Sequence, residues 1–346
     1  MRSPLMAELG IPFRLVESTF AATLNDLGSV VLVVNDPPWS HLASSIATPD
    51  SVVQAWNMDI EHLESVASTS PRGETVVGVG GGTAMDTAKF LAWKLGRPLV
   101  QIPSITSVDA GFTDAVGVRV DGNVRYIGNI RPEKVVLDTA LVCGAPAHLN
   151  RAGIGDIISC ATGLFDWRFA SSQGIGHEWR DDLAELGEKL LVDLADNLDE
   201  IARVTPTGVR FLAESYRVIG AACAAAGHSR FEEGSEHFWA YAYESLTGAH
   251  PVHGEIIAFA VVVMAHVQGN EPERWRDYVV RSQVRAHPGD IGISKDDFAQ
   301  TCAHLSQYVE KHALDYSIIN GIDFTPDVID TAWEFVTQIP QQGSVT

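Results

Sequence analysis

Apolar positions in the first part of the chain fall in short β-branched runs separated by segments with helical spacing. Ser29–Asn35 (SVVLVVN) is one such run, ending at the turn Asp36-Pro37-Pro38. Glu74–Val79 (ETVVGV) is a second, broken by Gly80-Gly81-Gly82 and followed by a helix-like stretch from Thr83 to Leu95. Leu99–Ile102 and Lys134–Leu137 read as further short strands. Strands that are apolar at nearly every position are buried on both faces, so the pattern predicts a parallel sheet with helices on each side.

After Pro146 the pattern changes. From Ile154 onward almost no strand period is present, and helical periods run over Asp182–Arg203, Gly208–Ala226, His237–Thr247 and Glu255–Gln268. The break around Cys143–Leu149 predicts an α/β domain over residues 1–146 and an all-helical domain over 147–346. No internal repeat or low-complexity segment is present. Two domains of different class predict a cleft where a cofactor and a substrate meet.

Composition narrows the functional classes. The 346 residues carry a formal net charge of -20, and no Lys/Arg cluster offsets it, which excludes nucleic acid as a partner. The acidity reads as a solvated surface. Cys143, Cys160, Cys223 and Cys302 are scattered, with no CxxC pair, as expected in a reducing compartment. The start, MRSPLMAELGIPFRLVEST, lacks the apolar stretch of a signal peptide. The longest apolar run, Ile256 to Ala265, is too short to span a bilayer and predicts a buried helix. These features predict a cytoplasmic protein with no membrane partner.

Two constellations carry candidate chemistry. The first is the strand-to-helix junction GVGGGTAMDTAK, Gly78 to Lys89. Consecutive glycines let the backbone approach a diphosphate, and the following helix offers free N–H groups and the positive end of its dipole. A tight strand–helix connection alone would also explain the glycines. The second spans three segments: Gly153-Ile154-Gly155-Asp156, Glu233-Gly234-Ser235-Glu236-His237 and Val252-His253-Gly254-Glu255. One carboxylate and two imidazoles suit a divalent metal with an open coordination position. Singly, Asp156 also reads as a helix N-cap, and either His as a satisfied core residue.

GGGTAMDTAK resembles the GGGSxxDxAK signature of the iron-containing alcohol dehydrogenase and glycerol dehydrogenase superfamily, which shares its fold with dehydroquinate synthase. The resemblance implies a nucleotide-binding α/β domain followed by an all-α metal-binding domain. It implies nucleotide contacts at Asp36, Gly80, Gly81, Gly82, Thr83, Asp86, Thr106 and Ser107. A carboxylate at Asp36 would accept from the ribose 2′-hydroxyl and repel a 2′-phosphate, so NAD is expected over NADP. Asp36 equally reads as a turn former before Pro37. In the superfamily the metal is held by an Asp in a G-x-G-D turn and two His, the second in an HGE motif. The implied ligands are Asp156, His237 and His253, the two His sixteen positions apart, with Zn²⁺ as default and Fe²⁺ or Ni²⁺ as alternatives.

GSEH, GDIIS and Asp166-Trp167-Arg168 resemble the sn-glycerol-1-phosphate dehydrogenase branch. The segment PSITSVDA resembles the P-T-x-x-S-x-D loop of glycerol and glycerol-1-phosphate dehydrogenases, which implies a substrate-side role for Asp109; an Asx-turn is the plainer explanation. The implied reaction is reversible hydride transfer between NAD and a small polyol, hydroxyketone or polyol phosphate, in a homo-oligomer. A dehydroquinate synthase-like cyclase is the enzymatic alternative, against which Lys89 and Asp156 speak. A non-catalytic NAD-binding protein is a third reading, against which the intact ligand trio speaks. The chain departs from the branch at Tyr241, where a further His is usual, and at Phe231-Glu232-Glu233, where Pro-Ala-Ser is common. A phosphate dianion beside those carboxylates would cost roughly several kcal/mol. The expectation is therefore a neutral substrate, with Arg230 and His250 as the residues that could reverse it.

Overall fold

The computed structural model describes residues 13–46 and 48–342. The start of the chain, read above for a leader, lies outside the described residues as far as residue 12. The chain divides into two compact units. One runs to Asn150 and adds Val204–Ala221; the other comprises Arg151–Arg203 and the chain from Ala222 onward.

The first unit holds strands β1 (Arg14–Glu17), β2 (Val30–Val34), β3 (Ser51–Gln54), β4 (Thr75–Gly80), β5 (Leu99–Pro103), β6 (Ala115–Val120), β7 (Asn123–Asn129) and β8 (Lys134–Leu137). Six of them form a parallel sheet in the order β1-β8-β5-β4-β2-β3, and β6 and β7 form an antiparallel hairpin. Counting helices longer than seven residues, α1 (Phe20–Leu27), α2 (Ile60–Ser68) and α3 (Gly82–Leu95) belong here. Alternate residues of β2 enter opposite cores. Val31 and Val33 pack with Leu63, Ala88 and Phe90, while Val30, Leu32 and Val34 pack with Phe20 and Leu24. Both faces of the central strands are thus covered, as their unbroken apolar runs predict.

Strands β1 and β3 and the hairpin have no counterpart in the apolar pattern. β1 and β3 are the two edges of the sheet and are half-exposed, so no continuous apolar run marks them.

The long helices of the remaining chain are α4 (Ile154–Ser172), α5 (Asp181–Ala195), α6 (Pro206–Ala226), α7 (Ser235–Thr247), α8 (His253–Gln268), α9 (Pro272–Ser282), α10 (Lys295–Lys311) and α11 (Pro326–Val336). The single helix expected over Asp182–Arg203 is two, because α5 stops at Ala195 and a short helix restarts at Leu198. Asn197 ends the first by donating its side-chain amide to the Asp193 carbonyl (2.8 Å), in competition with the helix ladder. Residues of α6 through Ala221 group with the first unit. There the Tyr216 hydroxyl donates to the Thr106 carbonyl (2.7 Å), and Gly220 lies so close to the Phe112 carbonyl that a Cβ would sit 2.4 Å from its oxygen.

In the second unit α8 is buried at every position from Gly254 to Ala265, as its apolar run predicts. It packs against α4, α7, α9 and α11. Among the described residues no helix is long and apolar enough to cross a membrane. The tightest approach is between α4 and α8, where a Cβ on Gly155 would lie 2.4 Å from the Gly254 carbonyl oxygen. Backbone cannot yield as a side chain does, so Gly155→Ala is expected to destabilise by about 1–3 kcal/mol, despite the better helix propensity of Ala. Gly144→Ala, at an exposed helix end with nothing within 4 Å of its Cβ, is the matched control and should leave the thermal midpoint almost unmoved. Equal midpoints for the two variants would show that α4 and α8 can separate at no cost.

Candidate metal centre

Asp156, His237 and His253 come together from the first turns of α4, α7 and α8. Each offers a ligand atom, and these atoms all lie within 4.8 Å of one another. His253 Nε2 is 3.2 Å from Asp156 Oδ1, and the two imidazole centroids are 5.5 Å apart. Asp156 does not cap its helix: the N-cap is Gly153, and Asp156 sits inside the first turn. Asp156 and His237 are buried, whereas the His253 side chain is 34% exposed, so one side of the cluster is open. A carboxylate and two imidazoles with an open side fit a divalent metal that accepts a further ligand.

Sequence reasoning missed Glu236. It is fully buried, accepts from the Gly234 N–H at Oε1 (2.6 Å), and presents the same oxygen to His237 Nδ1 (2.9 Å). That contact would leave His237 Nε2 for a metal, as outer carboxylates do for metal-bound imidazoles. Burial alone lowers the His237 pKa, but the Glu236 hydrogen bond and charge, with Glu233 and Asp156, raise it to about 9. The signal in the sequence is the Glu directly before the His, which helix periodicity places on a different face and so disguises.

Asp166 holds this region in place. Buried on α4, it accepts from the N–H of Ser235 at the start of α7 (2.7 Å) and from that of Ile318 (2.7 Å). A carboxylate at a helix start satisfies an orphan donor and faces the positive dipole end. Burial lifts its pKa to about 6, opposed by the nearby Arg230. Arg230 is itself buried and donates to the Glu233 and Tyr316 carbonyls (3.2 and 2.9 Å). His250 is largely exposed, 3.4 Å from Glu244.

The remaining expected site residues lie in the first unit. The glycine turn joins β4 to α3, with Gly81 as an N-cap that makes no side-chain capping bond. Added Cβ atoms at Gly80, Gly81 and Gly82 would meet Asn35, Ile105 and Val108 at 3.0 Å or less, so the glycines also serve the chain's own packing. Asn35, given no role by the sequence, accepts from the Gly81 N–H (3.2 Å) and fixes the turn to the end of β2. Asp36 Oδ1 accepts from the Ser40 N–H and hydroxyl (3.1 and 2.5 Å), a turn-forming arrangement. Thr83 is partly exposed in the first turn of α3. Asp86 is ion-paired with buried Lys89 (2.7 Å), which also donates to the Ala115 carbonyl of β6 (2.6 Å). Thr106 donates its N–H and hydroxyl to the Asn150 side chain (both 3.0 Å), and the adjacent Ser107 is buried. Asp109 opens the short 3-10 turn Ala110–Phe112.

Two substitutions separate ligation from orientation. His253→Ala should strip the protein of stoichiometric metal with the fold intact. Glu236→Gln should retain the metal but weaken its affinity by about 10–100-fold, the usual effect of losing an outer-sphere partner. Chelator-competition titrations measure both. Undiminished affinity in Glu236→Gln would reduce Glu236 to a packing residue.

Comparison with known proteins bears on the whole chain. The family model described as iron-containing alcohol dehydrogenase matches residues 37–146. The glycerol-1-phosphate dehydrogenase [NAD(P)+] of Hyperthermus butylicus is 31% identical over 266 residues, covering 73% of this chain and 74% of that protein. The enzyme of the same name from Aeropyrum pernix is 30% identical over 287 residues, covering 79% and 80%. Among solved structures, glycerol dehydrogenase from Schizosaccharomyces pombe superposes with a TM-score of 0.69 at 17% identity, covering 95% of this chain and 89% of that one. That last likeness establishes the fold, a parallel-sheet part followed by a helical part. With relatives at this identity and coverage, the chain belongs to the iron-containing alcohol dehydrogenase family.

Proposed function

We propose that this protein is a metal-dependent, NAD-linked dehydrogenase that moves hydride reversibly between a small polyol and the matching hydroxyketone. Its class is that of its relatives, NAD(P)-dependent oxidoreductases acting on CH–OH. The convergence of Asp156, His237 and His253 carries the reading, because the chain has kept a complete ligand set in one cluster. A divalent metal bound there supplies Lewis acidity toward the substrate oxygen, and NAD supplies the hydride acceptor. Zn²⁺ is the proposed metal, with Fe²⁺ and Ni²⁺ suited to the same donors.

The chain's own share is positioning. Asp156, His237 and His253 would hold the metal, and Glu236 keeps His237 Nδ1 occupied. The uncapped start of α3 offers backbone N–H groups to the diphosphate, with Gly80, Gly81, Gly82 and Thr83 at the turn and Thr106 and Ser107 in the loop after β5. The first unit is thus assigned the nucleotide and the second the metal. Asp86 is retained as an indirect contributor, through its ion pair with Lys89. Asp109 is the carboxylate assigned to the substrate's hydroxyls. Asp36 keeps a carboxylate oxygen beyond the one bound by Ser40, and that oxygen is assigned to the ribose, which favours NAD. Free thiols at all four cysteines support a reducing, cytoplasmic setting, and exposed Trp56 and Tyr126 offer surface for a homo-oligomer.

The test begins with protein stripped by a chelator and reloaded with Zn²⁺, Fe²⁺ or Ni²⁺. NADH oxidation is then followed across small ketones, aldehydes and keto-phosphates. Activity is expected to vanish on stripping and return with metal. Phosphate release without net NADH change would move the protein to the cyclase reading. NADH should exceed NADPH in kcat/KM by more than about tenfold, and a ratio near one would take Asp36 out of the cofactor site.

A further inference from the structure

Glu233 and Tyr241 lie eight positions apart in sequence and touch. The Tyr241 hydroxyl donates to Glu233 Oε1 (2.8 Å), and the Ser229 hydroxyl donates to Oε2. Tyr241 stands one helical turn after His237 on the same face of α7, with ring centroids 6.1 Å apart. Glu233 and Tyr241 are both partly exposed. The turn that carries Glu233 is pressed onto α4, since a Cβ on Gly163 would lie 2.9 Å from the Glu232 carbonyl carbon. The carboxylate is therefore held beside the metal cluster by two hydroxyls and by backbone packing.

Resting on the reading of the trio as a metal site, we propose that Glu233, oriented by Tyr241 and Ser229, selects uncharged polyhydroxy substrates and rejects phosphorylated ones. An ionised carboxylate only accepts hydrogen bonds, and its two oxygens offer roughly four lone-pair sites. Ser229 and Tyr241 use one site on each oxygen, and Tyr241 spends its only hydroxyl proton in doing so. What faces a substrate is thus a set of acceptors. Substrate hydroxyls complement it by donating, whereas a phosphate dianion brings more acceptors and like charge. The two cations singled out in the sequence are committed within the protein: the buried Arg230 guanidinium donates to the Glu233 and Tyr316 carbonyls, and exposed His250 lies beside Glu244.

The test uses the full chain loaded with Zn²⁺ and compares dihydroxyacetone with dihydroxyacetone phosphate under NADH. The wild type is expected to favour the neutral ketone by more than about tenfold in kcat/KM. Glu233→Gln removes the charge and keeps the shape, and should narrow that ratio by about tenfold, while Tyr241→Phe, which loosens the carboxylate, should narrow it less. Melting-temperature shifts of the NAD-loaded protein with glycerol and with sn-glycerol 1-phosphate give the same comparison without turnover. A wild type that prefers the phosphorylated compound in either assay, or a ratio unmoved in both variants, overturns the proposal. Absence of NADH oxidation with every ketone would sink the dehydrogenase reading alone, and the melting series would still decide whether Glu233 discriminates by charge.

Discussion

The approach of α4 to α8 at Gly155 and Gly254 is the constraint on which the rest of the second unit depends. Backbone meets backbone there, with no room for a Cβ on Gly155. The residues next to the contact are Asp156 and His253, so closeness of the helices becomes closeness of the ligand atoms, 3.2 Å from Nε2 to Oδ1. Any side chain at the contact would separate the helices and open the cluster before touching a ligand. The device recurs along α4: Gly163 admits the turn before α7, and Asp166 caps the start of α7, which carries His237. Positions 155, 163 and 166 share one helix face by their spacing of eight and three. One stripe of small and acidic residues therefore sets the placement of all three ligands.

That stripe leaves an electrostatic debt that the chain meets in two ways. Asp156, Asp166 and Glu236 are buried within one region, and burial raises the Asp166 pKa to about 6. Arg230 offsets part of this from below, itself held by two backbone carbonyls. Glu236 Oε2 has no hydrogen-bond partner among the described residues, although the side chain is fully buried. Such an excess of negative charge is costly without a cation and favourable with one. The donor set and the surrounding field thus ask for the same occupant, a divalent metal.

Much of this was legible in the sequence, for reasons that also explain the rest. The central strands and α8 were readable because full burial removes polar residues from whole runs, as in Val30–Val34 and Ile256–Ala265. Edge strands β1 and β3 were not, since half-exposed residues in short segments leave no period. The clustering of Asp156, His237 and His253 was legible because each sits in a short glycine-containing motif. Glu236 bonds locally, to Gly234 and His237, whereas Asn35 and Asp166 work through contacts across the chain, Asp166 reaching Ile318 from far away in sequence. No local pattern encodes such a contact. The return of Val204–Ala221 to the first unit is likewise invisible to periodicity, because an amphipathic face does not name the surface that covers it.

The signature residues themselves divide by role, and the division explains which parts of the chain can vary. Lys89 is buried, paired with Asp86 and bonded to the Ala115 carbonyl and the Thr113 hydroxyl, so it pins α3 to the hairpin. It thereby fixes the helix whose first turn is proposed to meet the diphosphate. Replacing buried Lys89 would remove the ion pair to partly exposed Asp86 and the bond to the Ala115 carbonyl together, which penalises change there whatever the substrate. Glu233 and Tyr241 are partly exposed by contrast, bonded to each other, with Ser229 donating to the other Glu233 oxygen. The candidate metal cluster is therefore set among packed and buried charged groups, while Glu233, Tyr241 and Ser229, proposed above to face the substrate, are partly exposed.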